Sequence, residues 1–344
     1  MRPWTMELAG RIETRELTSR ALNGNPLGDP ATRPVWVYLP PGYDESSQRY
    51  PVVYLLQGFG GFVTRWGHRS TSAMLGRTAP ELVDEAFGSG TPPCIVVYVD
   101  AWTALGGSQF LDSPATGRYH TYLCEDVVGF VDGEYRTVPD RDHRAVMGHS
   151  SGGYGAIVTT MLRPDLFSAF ASLAGDCCFE LSLLPEVARA HRALRDHYGG
   201  SYDRFFADLA TRPALSKPDD PALVMVWALS ACYSAEPDGS VSLPFDAATG
   251  AIRQDTWSRW LAKDPVRMVE HHVSALRSLR AIWVDAGRRD DYSLDIGAEI
   301  LVSELRRVGV DDVAFELFDG THYHNEHRYP LAVSYLASRI AARH

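Results

Sequence analysis

The sequence predicts an α/β fold: a mostly parallel, doubly wound sheet with helices on both faces. Three observations predict it. Short apolar runs, among them Tyr50-Pro51-Val52-Val53-Tyr54-Leu55-Leu56 and Cys94-Ile95-Val96-Val97-Tyr98-Val99-Asp100, are too short for helices. Apolar at nearly every position, such runs are strands buried on both faces, as in a parallel sheet. Segments with helical spacing lie between them, and right-handed crossovers then put helices on both sides. The third observation is Gly148-His149-Ser150-Ser151-Gly152, which joins an apolar run (145–147) to a small-residue helix (154–162). That pattern is the sharp strand-to-helix turn that lifts a serine above the end of a strand.

Taken in order, residues 10 to 40 alternate polar and apolar side chains. Two strands (11–17 and 34–40), separated by Asn23-Gly24-Asn25-Pro26, form an antiparallel pair at a sheet edge. Pro40-Pro41-Gly42-Tyr43-Asp44 is a turn. The strand 50–56 ends in Gln57-Gly58-Phe59-Gly60-Gly61-Phe62, and a helix over 79–87 precedes the strand 94–100. After a loop (102–117), Tyr122, Val127, Phe130 and Val131 give helical spacing to 119–136. The serine strand and its helix follow, then a strand at 170–175.

From 176 to about 279 this rhythm breaks. The segment carries helix-like stretches (184–196, 202–210, 256–262), a β-rich run at 223–229 and recurrent aromatics (Phe179, Trp227, Tyr233, Phe245, Trp257, Trp260). It reads as an insertion capping the sheet within a single domain spanning 1–344, because strands resume directly after it. Leu279-Arg280-Ala281-Ile282-Trp283-Val284-Asp285 is again a buried strand, followed by a helix with Ile296, Ile300, Leu301 and Leu305 on its apolar face. The last strand (313–318) leads through Asp319-Gly320-Thr321-His322-Tyr323-His324 to a closing helix at 329–342. There is no internal repeat and no low-complexity segment.

Composition narrows the function classes. With 344 residues, 45% hydrophobic and 22% charged, the chain has the make-up of a globular protein with ample core. The 33 basic against 43 acidic residues argue against a nucleic-acid surface. Met1 to Glu7 lack the apolar core of a signal peptide, and the longest apolar stretch (222–232) is half a membrane span. Five cysteines, none in a Cys-x-x-Cys pair, fit a reducing cytoplasm. The expectation is a cytoplasmic protein with no membrane partner.

A serine hydroxyl is a poor nucleophile near neutral pH; it needs a base, and the base needs a carboxylate to orient it. In sheets of this kind the order is serine, acid, histidine, each at a strand end. The chain offers Ser150, then the Asp290/Asp291 loop, then His322. Asp290 is favoured over Asp291 because a residue past the turn at Gly287 can reach across the strand end. His322 is favoured over His324 because it stands closer to its strand. The run His322-Tyr323-His324-Asn325-Glu326-His327 also approaches a metal-binding pattern. That reading needs further ligands downstream, yet only 17 residues follow and His344 is the sole histidine among them. The expectation is therefore no metal and no cofactor. The tetrahedral oxyanion needs two backbone N–H donors. One comes from Ser151, the other from the glycine-rich loop after Leu56, at Phe59 or, alternatively, Gly60.

Together these pieces resemble the "putative esterase" family of α/β-hydrolases, which includes esterase D (S-formylglutathione hydrolase), enterochelin esterase, feruloyl esterase and mycolyltransferase branches. The matching residues are Val37-Tyr38-Leu39-Pro40-Pro41-Gly42-Tyr43, the run 50–58 with Trp66 beyond it, Gly148-His149-Ser150-Ser151-Gly152-Gly153, Asp285-x-Gly287-x-x-Asp290 and Gly320-x-His322. The resemblance implies an α/β-hydrolase fold and a serine esterase with Ser150 as nucleophile, Asp290 as acid, His322 as base, and Phe59 and Ser151 at the oxyanion. One departure is Gln57-Gly58, where the family often has His-Gly. It should change how that loop is braced without removing its N–H donors.

The function expected is a carboxylic-ester hydrolase acting on a small-molecule ester through an acyl-enzyme. Phe62, Trp66 and Tyr154 are candidate substrate contacts for an apolar acyl or aryl group, with Phe59 and Trp227 near the mouth. An acyltransferase would use the same residues, and a non-catalytic binding protein is disfavoured by the intact set.

Overall fold

The computed structural model describes residues 8–67 and 76–341. Its centre is an eight-stranded sheet: β1 (Arg11–Thr18), β2 (Thr32–Leu39), β3 (Val52–Leu56), β4 (Ile95–Val99), β5 (Arg144–His149), β6 (Ala169–Leu173), β7 (Ala281–Gly287) and β8 (Ala314–Phe318). The spatial order is β1-β2-β4-β3-β5-β6-β7-β8. β1 pairs antiparallel with β2, and β2 with β4; from β4 to β8 every pair is parallel. A small antiparallel ribbon, Asp112–Ser113 with Gly117–Arg118, stands apart from this sheet.

The continuously apolar strands are explained by two buried faces. In β3, Val52, Tyr54 and Leu56 join one core while Val53 and Leu55 join the other. The first core is shared with the helix Ser151–Leu162 and the helix Leu294–Arg307; the second is covered by Ala79–Gly88 and Arg328–Ile340. Full burial of each Val or Leu side chain stabilises the fold by roughly 1.5–3 kcal/mol, so one charged replacement within β3 would disrupt the layer that its side chain joins.

Register sets the site. Leu56 of β3 lies opposite Gly148 of β5, Gly148 opposite Ser172 of β6, and Ser172 opposite Val284 of β7. The loops leaving these strands therefore emerge side by side at the carboxyl edge, where open α/β sheets bind ligands.

Between β6 and β7 the chain contributes no described strand to the sheet. It forms the helices Phe179–Ser182, Leu184–Tyr198, Tyr202–Leu209, Asp220–Tyr233, Gln254–Leu261, Pro265–Met268 and Val273–Arg277. Phe179, Val187, Phe205, Tyr233 and Trp260 share one buried cluster with Tyr54, Leu56 and Phe170 of the sheet. The β-rich reading of 223–229 is corrected: these residues lie inside the helix Asp220–Tyr233. The β-branched Val224 and Val226 suggest a strand, but the apolar stretch runs on to Tyr233, too long for one. Pro221 sits in the first turn, and Leu223, Val226, Ser230 and Tyr233 recur at helical spacing on the buried side.

The segment 119–136 is helical in three contiguous pieces, Tyr119–Thr121, a π-helix at Tyr122–Val127, and Val128–Glu134. Ala342, to which the closing helix was expected to run, lies outside the described residues, as do His344 and Met1 to Glu7. No described helix is long and apolar enough to cross a membrane.

Candidate active site

Ser150 sits on the turn between β5 and its helix with φ +57° and ψ −125°. A non-glycine residue in that conformation is strained and persists only where its surroundings fix it. Here they do. Its N–H donates to the Leu173 carbonyl at 3.0 Å, and its own carbonyl accepts from Tyr154 N–H at 2.9 Å. The flanking glycines are steric necessities. A Cβ on Gly148 would lie 2.5 Å from the Gly152 carbonyl carbon, and one on Gly152 would lie 2.3 Å from the Leu56 oxygen.

Two loops reach the serine from the far side of the sheet. His322 Nε2 is 3.1 Å from Ser150 Oγ, and His322 Nδ1 is 2.8 Å from Asp290 Oδ2. The Asp290 side chain is fully buried. Its other oxygen accepts the N–H of Tyr292 at 2.8 Å and of Leu294 at 3.3 Å, at the start of the helix Leu294–Arg307. Asp291, the runner-up, points elsewhere: it is exposed, and its Oδ2 accepts the backbone N–H of His322 at 3.1 Å. One aspartate thus meets the imidazole while the next holds the loop that carries it. The two loops can cross because Gly287 has no side chain; a Cβ there would lie 2.5 Å from the Thr321 oxygen.

His149 is a member of this cluster that sequence reasoning missed. Its Nε2 is 2.9 Å from the His322 carbonyl, and the two rings are 4.6 Å apart. A carbonyl only accepts, so the His149 Nε2 carries the proton. Burial, with the His322 ring beside it, lowers its pKa to about 3, so it stays neutral at every working pH. Asn325 Nδ2 donates to the same carbonyl at 3.1 Å and to Thr321 O at 2.9 Å. His322 is thus fixed through its ring and its backbone together. Nothing in the Gly-x-Ser pattern specifies the middle residue, which is why His149 carried no signal.

Of the other histidines in the His322–His327 run, His324 lines the same cavity. The His327 ring meets Phe318 edge-on at 5.6 Å, and among the described residues no three His, Cys, Asp or Glu side chains gather as a metal site.

Ser151, one of the two expected oxyanion donors, opens its helix, so its N–H has no acceptor one turn back. The β3 loop presses on the turn: a Cβ on Gly58 would lie 3.2 Å from Ser150 Cβ. Gly60 N–H is already given to the Gly106 carbonyl at 2.9 Å, which removes the alternative donor. Phe59 lines the cavity, its ring seated against Gly106 and Gly107. Gln57 lines it too and reaches the Phe62 carbonyl only at 3.5 Å, a weak brace.

These groups open on a cavity of about 640 Å³, a size suited to a small organic ligand. Its far wall comes from the segment between β6 and β7, including Leu183, Met225 and Leu229. Two expected substrate contacts need correction. Phe62 is 40% exposed and does not line the cavity. It precedes a 3₁₀ turn, Val63–Gly67, in which the (i, i+3) pair Val63 and Trp66 turns inward. Tyr154 is wholly buried one turn along the serine helix, its ring against Phe179 and Tyr233. Trp66 does border the cavity, but most of it is packed between Tyr98 and Tyr329. Trp227 packs on Tyr202 and Phe206, away from the site.

Comparison with known proteins bears on this arrangement. The sequence profile of the "Putative esterase" family matches residues 30–330. The chain belongs to this family. It is 27% identical over 173 residues to an endo-1,4-beta-xylanase/feruloyl esterase of Xylanibacter ruminicola, a match covering 49% of this chain and 22% of that protein. The chain therefore spans under a quarter of the length of that curated relative. A ferulic acid esterase structure superposes with a TM-score of 0.61 at 20% identity, covering 96% of this chain and 98% of the other. An S-formylglutathione hydrolase from Agrobacterium tumefaciens superposes with a TM-score of 0.56 at 15% identity, covering 98% of each chain. The fold of this family member is the α/β-hydrolase fold.

Proposed function

We propose that this esterase-family chain is a serine carboxylic-ester hydrolase working through an acyl-enzyme on Ser150. One observation carries the reading: Ser150 Oγ, the His322 ring and the Asp290 carboxylate stand in an unbroken hydrogen-bonded line at 3.1 and 2.8 Å, at the edge of a cavity. Asp290 accepts from His322 Nδ1–H and so leaves Nε2 free to take the serine proton. The Ser150 oxygen attacks the ester carbonyl carbon, and the oxyanion is met by the Phe59 and Ser151 N–H groups. Imidazolium Nε2–H then protonates the departing alkoxide. Water, deprotonated by the same nitrogen, attacks the acyl-enzyme and releases the acid and Ser150.

Phe59, Trp66 and Met225 give the cavity apolar surface for an acyl or aryl group, and aromatic esters suit the names of the relatives. The segment 176–279 acts as a cap over this cavity within a single domain, and five unpaired thiols favour a reducing compartment such as the cytoplasm. An acyltransferase would use the same steps with an alcohol in place of water.

The test is a panel of short-acyl, long-acyl, aryl and thioester substrates, assayed with and without added alcohol and with chelator. Hydrolysis of at least one ester, insensitive to chelation and with little transfer to alcohol, is expected. A product that is mainly the new ester would make the chain a transferase; no turnover, or loss on chelation, would contradict the serine reading.

A further inference from the structure

The cavity holds a carboxylate for which the triad chemistry has no use. Asp176 follows β6 at the carboxyl edge of the sheet, lines the cavity and is only 8% exposed. Its protein partners both meet Oδ2: the Ser151 hydroxyl at 3.2 Å and Gln109 Nε2–H at 3.3 Å. Both contacts are long, and both donors are neutral.

Other buried aspartates are far better held. Asp264 accepts three backbone N–H groups at 2.8 to 3.0 Å, from Cys178, Phe179 and Val266. Asp285, whose second oxygen also lacks a partner among the described residues, meets a charged donor, the Arg328 guanidinium, and Trp283 Nε1–H. Asp84 accepts from the N–H groups of Ala9 and Gly10 and from the Tyr38 hydroxyl. A buried carboxylate with poor partners opposes folding, and in a native structure it calls for an explanation. Burial raises the pKa of Asp176 above the usual carboxylate range, as it does those of Asp264 and Asp285.

The carboxylate is also held still. Gln109 sits in the left-handed region at φ +51°, as does Phe110, and donates to the Tyr233 hydroxyl at 2.9 Å. Tyr233 in turn packs among Tyr154, Phe179 and Trp260. Strained backbone at two successive residues marks a place that the surrounding structure over-determines. Asp176 is thereby fixed against Ser151, the residue next to the nucleophile.

We propose that Asp176 reads a hydroxyl group on the substrate near the scissile carbonyl, so that the preferred ester is a hydroxyacyl ester. The proposal rests on the serine-esterase reading and deepens it by naming a substrate class. A hydroxyl donates to the oxygen left without a protein partner, as Ser151 and Gln109 already do to the other. A carboxylate or phosphate at this position would be repelled. An unsubstituted acyl chain would exclude water from Asp176 and leave it with two weak contacts, and such a loss discriminates strongly in a closed site. The position near the carbonyl follows from the shared neighbour: the residue that bonds Asp176 through its side chain adjoins Ser150.

The experiment measures kcat/KM by acid release for matched esters: methyl 3-hydroxybutyrate against methyl butyrate, methyl lactate against methyl propionate, and methyl 3-aminobutyrate. Wild-type enzyme is expected to prefer at least one hydroxylated ester by roughly 10- to 100-fold. Asp176→Asn should cut that ratio about tenfold, chiefly through KM, and Asp176→Leu should bring it close to one. Hydrolysis of the unsubstituted esters with no preference in either pair would overturn the proposal while leaving the esterase reading intact. Preference retained in a folded Asp176 variant would overturn it too, as would a preference for the amino ester, which would make Asp176 a cation site. No turnover of any ester would sink the underlying reading first. If neither variant folds, the wild-type ratios decide.

Discussion

Asp290→Asn is expected to lower kcat by about 10⁴-fold, while Asp291→Asn lowers it by less than about tenfold. The difference follows from what each carboxylate touches. Asp290 Oδ2 faces His322 Nδ1 at 2.8 Å in a fully buried setting and holds the imidazole in the tautomer that leaves Nε2 open to the serine proton. An amide at that position can turn its NH₂ to the ring and favour the wrong tautomer, which leaves the geometry intact but removes the base. Asp291 is exposed and accepts a backbone N–H, a bond that an asparagine oxygen can still accept. Steady-state kinetics of the two variants on one ester checks this. Equal losses would mean that the imidazole takes its orientation from the loop backbone instead of from Asp290.

Arg328→Ala is expected to destabilise the protein by about 3–5 kcal/mol, the cost of leaving a buried charge without its partner. Asp285 and Arg328 are both nearly inaccessible, with Nε 2.9 Å from Oδ2, and the second Asp285 oxygen finds no hydrogen-bond partner among the described residues. Burial, only partly opposed by Arg328, raises the Asp285 pKa to about 6. Removing the guanidinium raises it further. The native variant then binds a proton that the unfolded chain and the wild-type native state both release, so the deficit should shrink as pH falls from about 8 to about 6 and level off from there towards 4, where wild type takes up the same proton. Denaturant midpoints of the variant against wild type across that range supply the check. Replacing both partners with apolar residues should recover much of the loss, because the unpaired charge, not the missing contact, is the larger cost. A deficit that grows towards low pH would contradict the account. The pair matters to the site because Arg328 opens the closing helix directly after the loop carrying His322.

How far the sequence reveals this molecule depends on the residue. Strands buried on both faces, such as Val52–Leu56 and Ile95–Val99, announce themselves because a proline just before each, Pro51 and Pro93, keeps so apolar a run too short for a helix. The run at 223–229 does not, since a short apolar stretch reads equally as strand or buried helix, and packing against the sheet decided for helix. Ser150, His322 and Asp290 are legible because turn chemistry and chain order constrain them. The choice between Asp290 and Asp291 turns on one residue of register in a loop, which only the fold resolves. Phe62 and Tyr154 show the limit: lying near a motif in sequence says nothing of which side of a turn or helix a ring takes. His149 and Asp176 escaped for the opposite reason. Their partners, His322 and Gln109, lie far off along the chain and meet them only at the carboxyl edge of the sheet.

The central claim is that the Ser150 hydroxyl is the group that attacks. Treating the folded protein with a fluorophosphonate and mapping the adduct by peptide mass tests it most directly. One adduct per chain, on Ser150 and absent from Ser150→Ala, is the predicted result. An adduct on another residue, or labelling that survives the alanine replacement, would contradict it.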